Sequence, residues 1–220
     1  MKKLLNNDFI LSIICKGANI LFGFVTLILL NRYLGATLKG EYTYIINYTT
    51  IISAIFQLGI SSVYSKFKRK KIDNCFEIFI SLSLIQFIIY VVITIILLYI
   101  VRFNNTIMWI SIISVIAILT TQFRYINLIE NYKYNTFVII VIALLNSIIM
   151  LIMYCLFEKN LTYAFLVYIC KDIFIILMFF KKIKLKNLFK LEYFKVYLLI
   201  IKEGFLPMLS SLLVILNYNL

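Results

Sequence analysis

The chain has 220 residues, 64% of them hydrophobic and 14% charged, and a mean hydropathy of +1.02. Globular chains average about half apolar and about a quarter charged residues, so a soluble fold is excluded, and so is a disordered chain. Twenty-two Lys and Arg stand against nine Asp and Glu, a net charge of +13 with no His; what that excess means depends on where along the chain it falls.

Apolar runs of spanning length cover about 9–31, 41–64, 76–101, 106–123, 136–157 and 161–180, and a seventh opens at Gly204 and reaches Leu220. A membrane-crossing helix needs about 20 such residues. Lipid offers no partner to a loose backbone N–H or C=O, so these runs are expected as helices. Transmembrane strands are shorter and alternate, which these runs do not. The expected fold is all-α: a polytopic membrane helix bundle with six transmembrane helices and the start of a seventh.

Met1-Lys2-Lys3 ahead of the first run resembles a signal peptide, but the run is long and no small-x-small cleavage site precedes Asn31-Arg32. We read it as a retained helix. With the N-terminus in the cytoplasm and the spans alternating, sixteen cations fall inside: Lys2, Lys3, Lys66, Lys68, Arg69, Lys70, Lys71, Arg124, Lys133, Lys181, Lys182, Lys184, Lys186, Lys190, Lys195 and Lys202. Four fall in the outside loops: Arg32, Lys39, Arg102 and Lys159. That asymmetry is the positive-inside rule. The charge is thus a topology signal, and a nucleic-acid partner is not expected. Tyr42, Tyr64, Tyr99 and Tyr163 near span ends suggest an interfacial belt.

The outside loops, 32–40, 102–105 and 158–160, are short. Residues 181–203 form a basic cytoplasmic connector that mixes Lys with Leu185, Leu188, Leu191, Phe194 and Leu198. It is either a helix lying in the membrane surface or a solvated linker. The expected organisation is a six-helix lobe over 1–180, the connector over 181–203 and a seventh helix begun at 204–220.

Catalytic equipment is not evident. Without His there is no His base and no Ser-His-Asp triad. No phosphate-cradling Gly-rich loop is present. Cys15, Cys75, Cys155 and Cys170 lack metal-type spacing and read as small buried apolar residues. Neither an enzyme nor a cofactor is expected.

Polar residues within the spans form stripes. Ser12, Lys16, Asn19, Gly23 and Thr26 are spaced four and three apart in the first, and Thr43, Asn47, Thr50, Ala54, Gln57 and Ser61 repeat that in the second. Ser83, Gln86, Tyr90 and Thr94 lie on a related pattern in the third, and Ala143, Ser147, Met150 and Tyr154, with Asn146 beside them, in the fifth. Such spacing puts each set on one helix face. The faces serve either close helix packing or the wall of a polar cavity. Lys16, Asn19, Asn47, Gln57, Lys171 and Asp172 are the candidate cavity residues.

Lys16 lies about 10 Å and Asp172 about 12 Å from the cytoplasmic helix ends. A charge at a helix centre costs on the order of 2.5–3.5 kcal/mol and needs a partner or water. Neighbours at i and i+1 do not face each other, so Lys171 and Asp172 are not expected to neutralise one another. The similar depths suggest that Lys16 pairs with Asp172 or shares a cavity with it, leaving Lys171 free for an anionic headgroup. Snorkelling is the other reading, above all for Lys16.

Three segments carry a family resemblance. Arg32-Tyr33-Leu34-Gly35-Ala36-Thr37-Leu38-Lys39-Gly40-Glu41-Tyr42 resembles the R-x-L-G-x-x-x-x-G-x-Y signature after the first helix of bacterial polysaccharide flippases, of the multidrug/oligosaccharidyl-lipid/polysaccharide exporter superfamily. Gln57-Leu58-Gly59-Ile60-Ser61 is similar to the family's D-L-G-[IL]-x segment, with Gln57 in the acidic place. Lys202-Glu203-Gly204-Phe205-Leu206-Pro207-Met208 is similar to the segment opening its seventh helix. The resemblance implies the first lobe of a two-lobed exporter that moves undecaprenyl-pyrophosphate-linked oligosaccharide across the bacterial cytoplasmic membrane. Members are about twice as long, so it also implies that a C-terminal half or a second chain completes the transporter. A small-molecule or multidrug exporter of the same superfamily and a membrane glycan polymerase are the alternatives. The first would need acidic cavity residues, of which Asp172 is the one candidate; the second would need charged outside loops or membrane His.

Overall fold

The computed structural model describes residues 2–102, 104–180, 183 and 190–219, with the side chains of 2–12, 14, 191, 218 and 219 outside that description. The expectations for Lys2, Lys3, Ser12, Lys181, Lys182, Lys184, Leu185, Lys186, Leu188 and the Leu191 side chain therefore lie outside the described residues.

The described chain is helical throughout: α1 (Lys2–Phe56), α2 (Ile60–Arg69), α3 (Cys75–Ile100), α4 (Asn105–Glu130), α5 (Tyr132–Leu156), α6 (Leu161–Phe180) and, after a 3-10 turn at Leu191–Tyr193, α7 (Phe194–Asn219). Six of these helices are long and apolar enough to cross a membrane. The 26-residue α3 extends about 39 Å, enough for the ~30 Å hydrocarbon layer. Its Ile88, Ile89, Val92, Ile93, Ile95 and Ile96 are exposed, as lipid-facing side chains are.

Residues 32–40, expected as a loop, are helical on both sides of Gly35, which alone is non-helical with φ 71° and ψ −178°. A left-handed φ is open to glycine without penalty, and one such residue turns the axis. The two arms of α1 run oppositely. On the first, Thr26 meets Ser147 of α5 and Tyr33 reaches the Glu158 carbonyl just beyond that helix, so this arm is parallel to α5. On the second, Tyr42 stacks on Phe165 of α6 and the Gln57 carbonyl accepts from Gln122 of α4, so this arm runs with α4 and α6.

The second expected span, 41–64, is broken. Leu58 and Gly59 both have positive φ, 52° and 62°, and α2 restarts at Ile60. The break strands the Phe56 carbonyl, which side chains take up, while the Gln57 carbonyl keeps the Ile60 N–H at 3.2 Å and gains a side-chain donor besides. Gln86 Nε2 (2.6 Å) and the Tyr90 hydroxyl (2.9 Å) donate to the Phe56 carbonyl. Gln122 Nε2 donates to Gln86 Oε1 (2.6 Å) and to the Gln57 carbonyl (3.4 Å). The Gln86 and Tyr90 stripe thus serves a helix break, because a bare carbonyl in a buried or lipid environment costs more than a side chain turned toward it.

One end of the bundle gathers Lys66, Lys68, Arg69, Lys70 and Lys71 of the α2 end with Glu130 and Glu203. The Tyr64 hydroxyl donates to Glu130 Oε1, Lys68 pairs with Glu130 at 2.7 Å, and Lys66 with Glu203 at 2.9 Å. Above this end lies a core of Tyr64, Phe67, Phe79, Phe123 and Phe179. The far half holds a second core of Tyr33, Leu34, Tyr42, Ile113, Met150 and Phe165.

Tyr42 and Tyr64 are therefore core residues, 8% and 0% exposed, while Tyr99 and Tyr163, 80% and 39% exposed, suit an interfacial belt. The two buried rings have partners for their faces or hydroxyls inside the bundle. Cys15 is buried as expected, but Cys155 and Cys170 are exposed, and all four cysteines are free.

Helix α7 begins at Phe194, well before Gly204, so the second half of the 181–203 segment is helix. Tyr197 anchors it: its hydroxyl lies 2.7 Å from Ser81 Oγ, and Tyr193, Tyr197 and Ile200 join the first core.

Candidate functional site

The polar faces of α1 and α5 meet. Ser147 Oγ lies 3.0 Å from Thr26 Oγ1, 3.0 Å from the Phe22 carbonyl and 2.9 Å from the Ala143 carbonyl. Small residues let the backbones approach and hydroxyls join them. Beside this seam the helices part into two adjoining clefts.

The larger cleft, about 230 Å³, is lined by Asn19, Gly23 and Thr26 of α1, Arg124 of α4, Asn146 of α5 and Lys171 of α6. The smaller, about 170 Å³, is lined by Lys16 and Asn19 of α1, Arg124 of α4, and Tyr132, Asn135 and Thr136 of α5. Asn19 and Arg124 border both. The two clefts adjoin as one hollow, and three cations from three helices line it among apolar side chains such as Ile139 and Ile142. They are stepped along α5: Lys16 opposite its first turn, near the lysine-rich end, and Lys171 opposite Ile142 and Asn146. Asn135 to Asn146 is about 16 Å of helix.

This arrangement corrects two expectations. Lys171 does reach Asp172: Nζ lies 3.5 Å from Oδ1. Adjacent helical side chains diverge at Cβ, but the four-carbon Lys stem is long enough to fold back, and the Tyr168 ring one turn earlier holds the ammonium 3.9 Å from its centroid. Nor are Lys16 and Asp172 at one depth. The Asp172 backbone carbonyl lies beside Thr120, whereas Lys16 shares its cleft with Leu128, about 12 Å further along α4. Among the described residues no ion pair joins Lys16 to Asp172.

Asp172 is 5% exposed and serves as the carboxylate partner behind Lys171. Asn47 and Gln57 are half-buried and stand apart from both clefts; Gln57 belongs to the helix break. Arg124 is the residue that sequence reasoning missed. The expected span ended at 123 because a charge follows, and Arg124 was assigned to a cytoplasmic loop. The structure carries α4 on to Glu130. The 3, 4 spacing of Thr121, Arg124 and Leu128, all exposed on one face, was the available signal. Among the described residues no three His, Cys, Asp or Glu side chains converge to hold a metal ion.

Fold and hollow together define a polytopic membrane helix bundle with a cation-lined cleft. The family model described as polysaccharide biosynthesis protein matches residues 4–220, and the chain belongs to that family. No curated protein and no solved structure matches it. Membership supports a role in making or exporting polysaccharide at a membrane. The fold brings together two of the resembling segments, since Gly59 and Gly204 pack backbone to backbone.

Proposed function

We propose that this bundle is the first lobe of a carrier that moves undecaprenyl-pyrophosphate-linked oligosaccharide across the bacterial cytoplasmic membrane, with its N-terminus in the cytoplasm. The observation that carries the reading is the stepped set Lys16, Arg124 and Lys171 around one hollow, with Asp172 the single carboxylate paired there. Like charges gathered around one hollow repel each other, and a charge at membrane depth is costly until it finds a partner. A bound diphosphate offsets both. Its charge would be met first at Lys16 and Arg124, then at Arg124 and Lys171, while Asn19 and Asn146 offer hydrogen bonds along the way.

No covalent step is needed; the work is transfer. In this reading a second lobe, from further chain or a second polypeptide, supplies the facing wall, and the two rock about the site by alternating access. The drug-exporter alternative is weakened because a cationic substrate would meet Lys16, Arg124 and Lys171 along these clefts, while the nearby carboxylate, Asp172, is only 5% exposed.

The test is flipping of a fluorescent polyprenyl-diphosphate disaccharide in proteoliposomes. Removing one charge-assisted contact costs about 1.5–3 kcal/mol, so Arg124→Ala and Lys171→Ala are each expected to weaken substrate binding by roughly tenfold or more. Unchanged flipping in both variants would sink the assignment.

A further inference from the structure

The largest of the cavities described lies at the other end of the bundle. It has about 670 Å³ and is lined by Glu41 and Tyr44 at the start of the second α1 arm, Asn105, Thr106 and Trp109 in the opening turns of α4, and Thr162 in that of α6. This volume is in the ~300–1,000 Å³ range of small-molecule sites. None of the cleft cations contributes to it.

We propose that this groove binds an uncharged or amino-bearing oligosaccharide. Sugar rings present C–H faces and a fringe of hydroxyls. The groove answers both, with two aromatic rings, Tyr44 and Trp109, and with a carboxylate, an amide and two threonine hydroxyls. Tyr44 is 53% exposed and tilts against Tyr48 at 4.6 Å, a pair that leaves ring surface open. Trp109 is held from behind by Phe165 at 5.0 Å, which itself stacks on Tyr42 at 5.3 Å. The ring is therefore fixed before any ligand arrives, which lowers the ordering cost of binding.

The lining also selects against other ligands. The one lining group charged at neutral pH is the Glu41 carboxylate, which repels phosphates and uronic acids and accepts hydroxyl or ammonium donors. The interleaved polar groups do not suit an acyl chain. The inference rests on the proposed function only for its purpose: the groove would receive the glycan at the end of the bundle away from the lysines, once the diphosphate has left the cationic hollow.

Trp109 is the only tryptophan in the chain, so its fluorescence reports this groove alone. The full chain in nanodiscs is titrated with maltotriose, chitotriose, a glucosamine dimer, a galacturonate dimer and inorganic pyrophosphate. Saturable shifts of the Trp109 emission are expected with at least one of the first three and with neither of the last two. Glu41→Gln and Tyr44→Ala, both at exposed positions, are each expected to weaken that binding by about tenfold, and Thr162→Val by less. Arg124→Ala and Lys171→Ala are expected to leave it unchanged. No saturable shift with the first three, a shift indifferent to both Glu41→Gln and Tyr44→Ala, or a shift confined to the acidic sugar or pyrophosphate overturns the proposal. Because the flipping assay reads Arg124 and Lys171 while this titration reads Trp109, either reading can fail alone.

Discussion

Gly59 and Gly204 touch through their backbones. A Cβ on Gly59 would stand 2.0 Å from the Gly204 carbonyl oxygen, and one on Gly204 would stand 2.3 Å from the Leu58 carbonyl oxygen. The break between α1 and α2 and the middle of α7 are thus fitted to each other with no room for a side chain on either.

Substituting either glycine tests that fit. Overpacking costs about 1–3 kcal/mol, and Gly59→Ala adds about 1–2 kcal/mol because its φ of 62° is left-handed. Both alanine variants are expected to melt earlier in detergent than the parent, Gly59→Ala the earlier. Gly40→Ala, helical with open space around it, is expected to gain about 0.5–1 kcal/mol. Equal melting of Gly204→Ala and Gly40→Ala would refute the contact.

The glutamine network at the break predicts a ranked pair. Gln86→Leu removes the donor to the Phe56 carbonyl and the acceptor for Gln122, and leaving buried polar groups unmet costs about 1–3 kcal/mol. Tyr90→Phe leaves Gln86 on that carbonyl, and a loss of about 0.5–1.5 kcal/mol is expected. Hydrogen exchange at Leu58, Gly59 and Ile60 should rise in the same order.

Lys171 and Asp172 should behave as a pair. Asp172→Ala leaves an ammonium within the bundle without its carboxylate, whereas removing both charges leaves nothing unmet; breaking a buried pair from one side typically costs about 3–5 kcal/mol. The double variant Lys171→Ala/Asp172→Ala is therefore expected to be more stable than Asp172→Ala alone, read as melting temperature or as the folded fraction by size exclusion. A double variant less stable than the single would show that Lys171 stabilises the bundle through a contact other than Asp172.

At the lysine-rich end the expectation is the reverse. Lys66 is 58% and Glu203 22% exposed at the side chain, and exposed ion pairs contribute little to stability. Glu203→Gln should lower the melting temperature only slightly, and the loss should shrink as salt is raised to about 0.5 M, where the Debye length falls below ~5 Å.

The periodicity and charge of the chain determined the helical class, the alternation of spans and the gathering of cations at one end. These depend on the solvent rather than on neighbours: an apolar run in lipid must satisfy its own backbone, and most charges stay near the ends of the runs. The seam of Thr26 and Ser147 was legible for the same reason, because a stripe of small polar residues must turn from lipid. The partners of those stripes were not. Gln57 and Gln86 have the composition of a cavity wall, and only the broken backbone at Leu58 and Gly59 decided that Gln86 serves the stranded Phe56 carbonyl with Gln122 held behind it. Arg124 reads as a loop cation in the sequence, and only the continuation of α4 to Glu130 puts it on a helix wall of the two clefts. Which cations face one hollow, and which carboxylate stands behind Lys171, are set by how α1, α4, α5 and α6 rotate about their axes as they pack. That rotation is a property of the contacts between helices, and no single helix's sequence contains it.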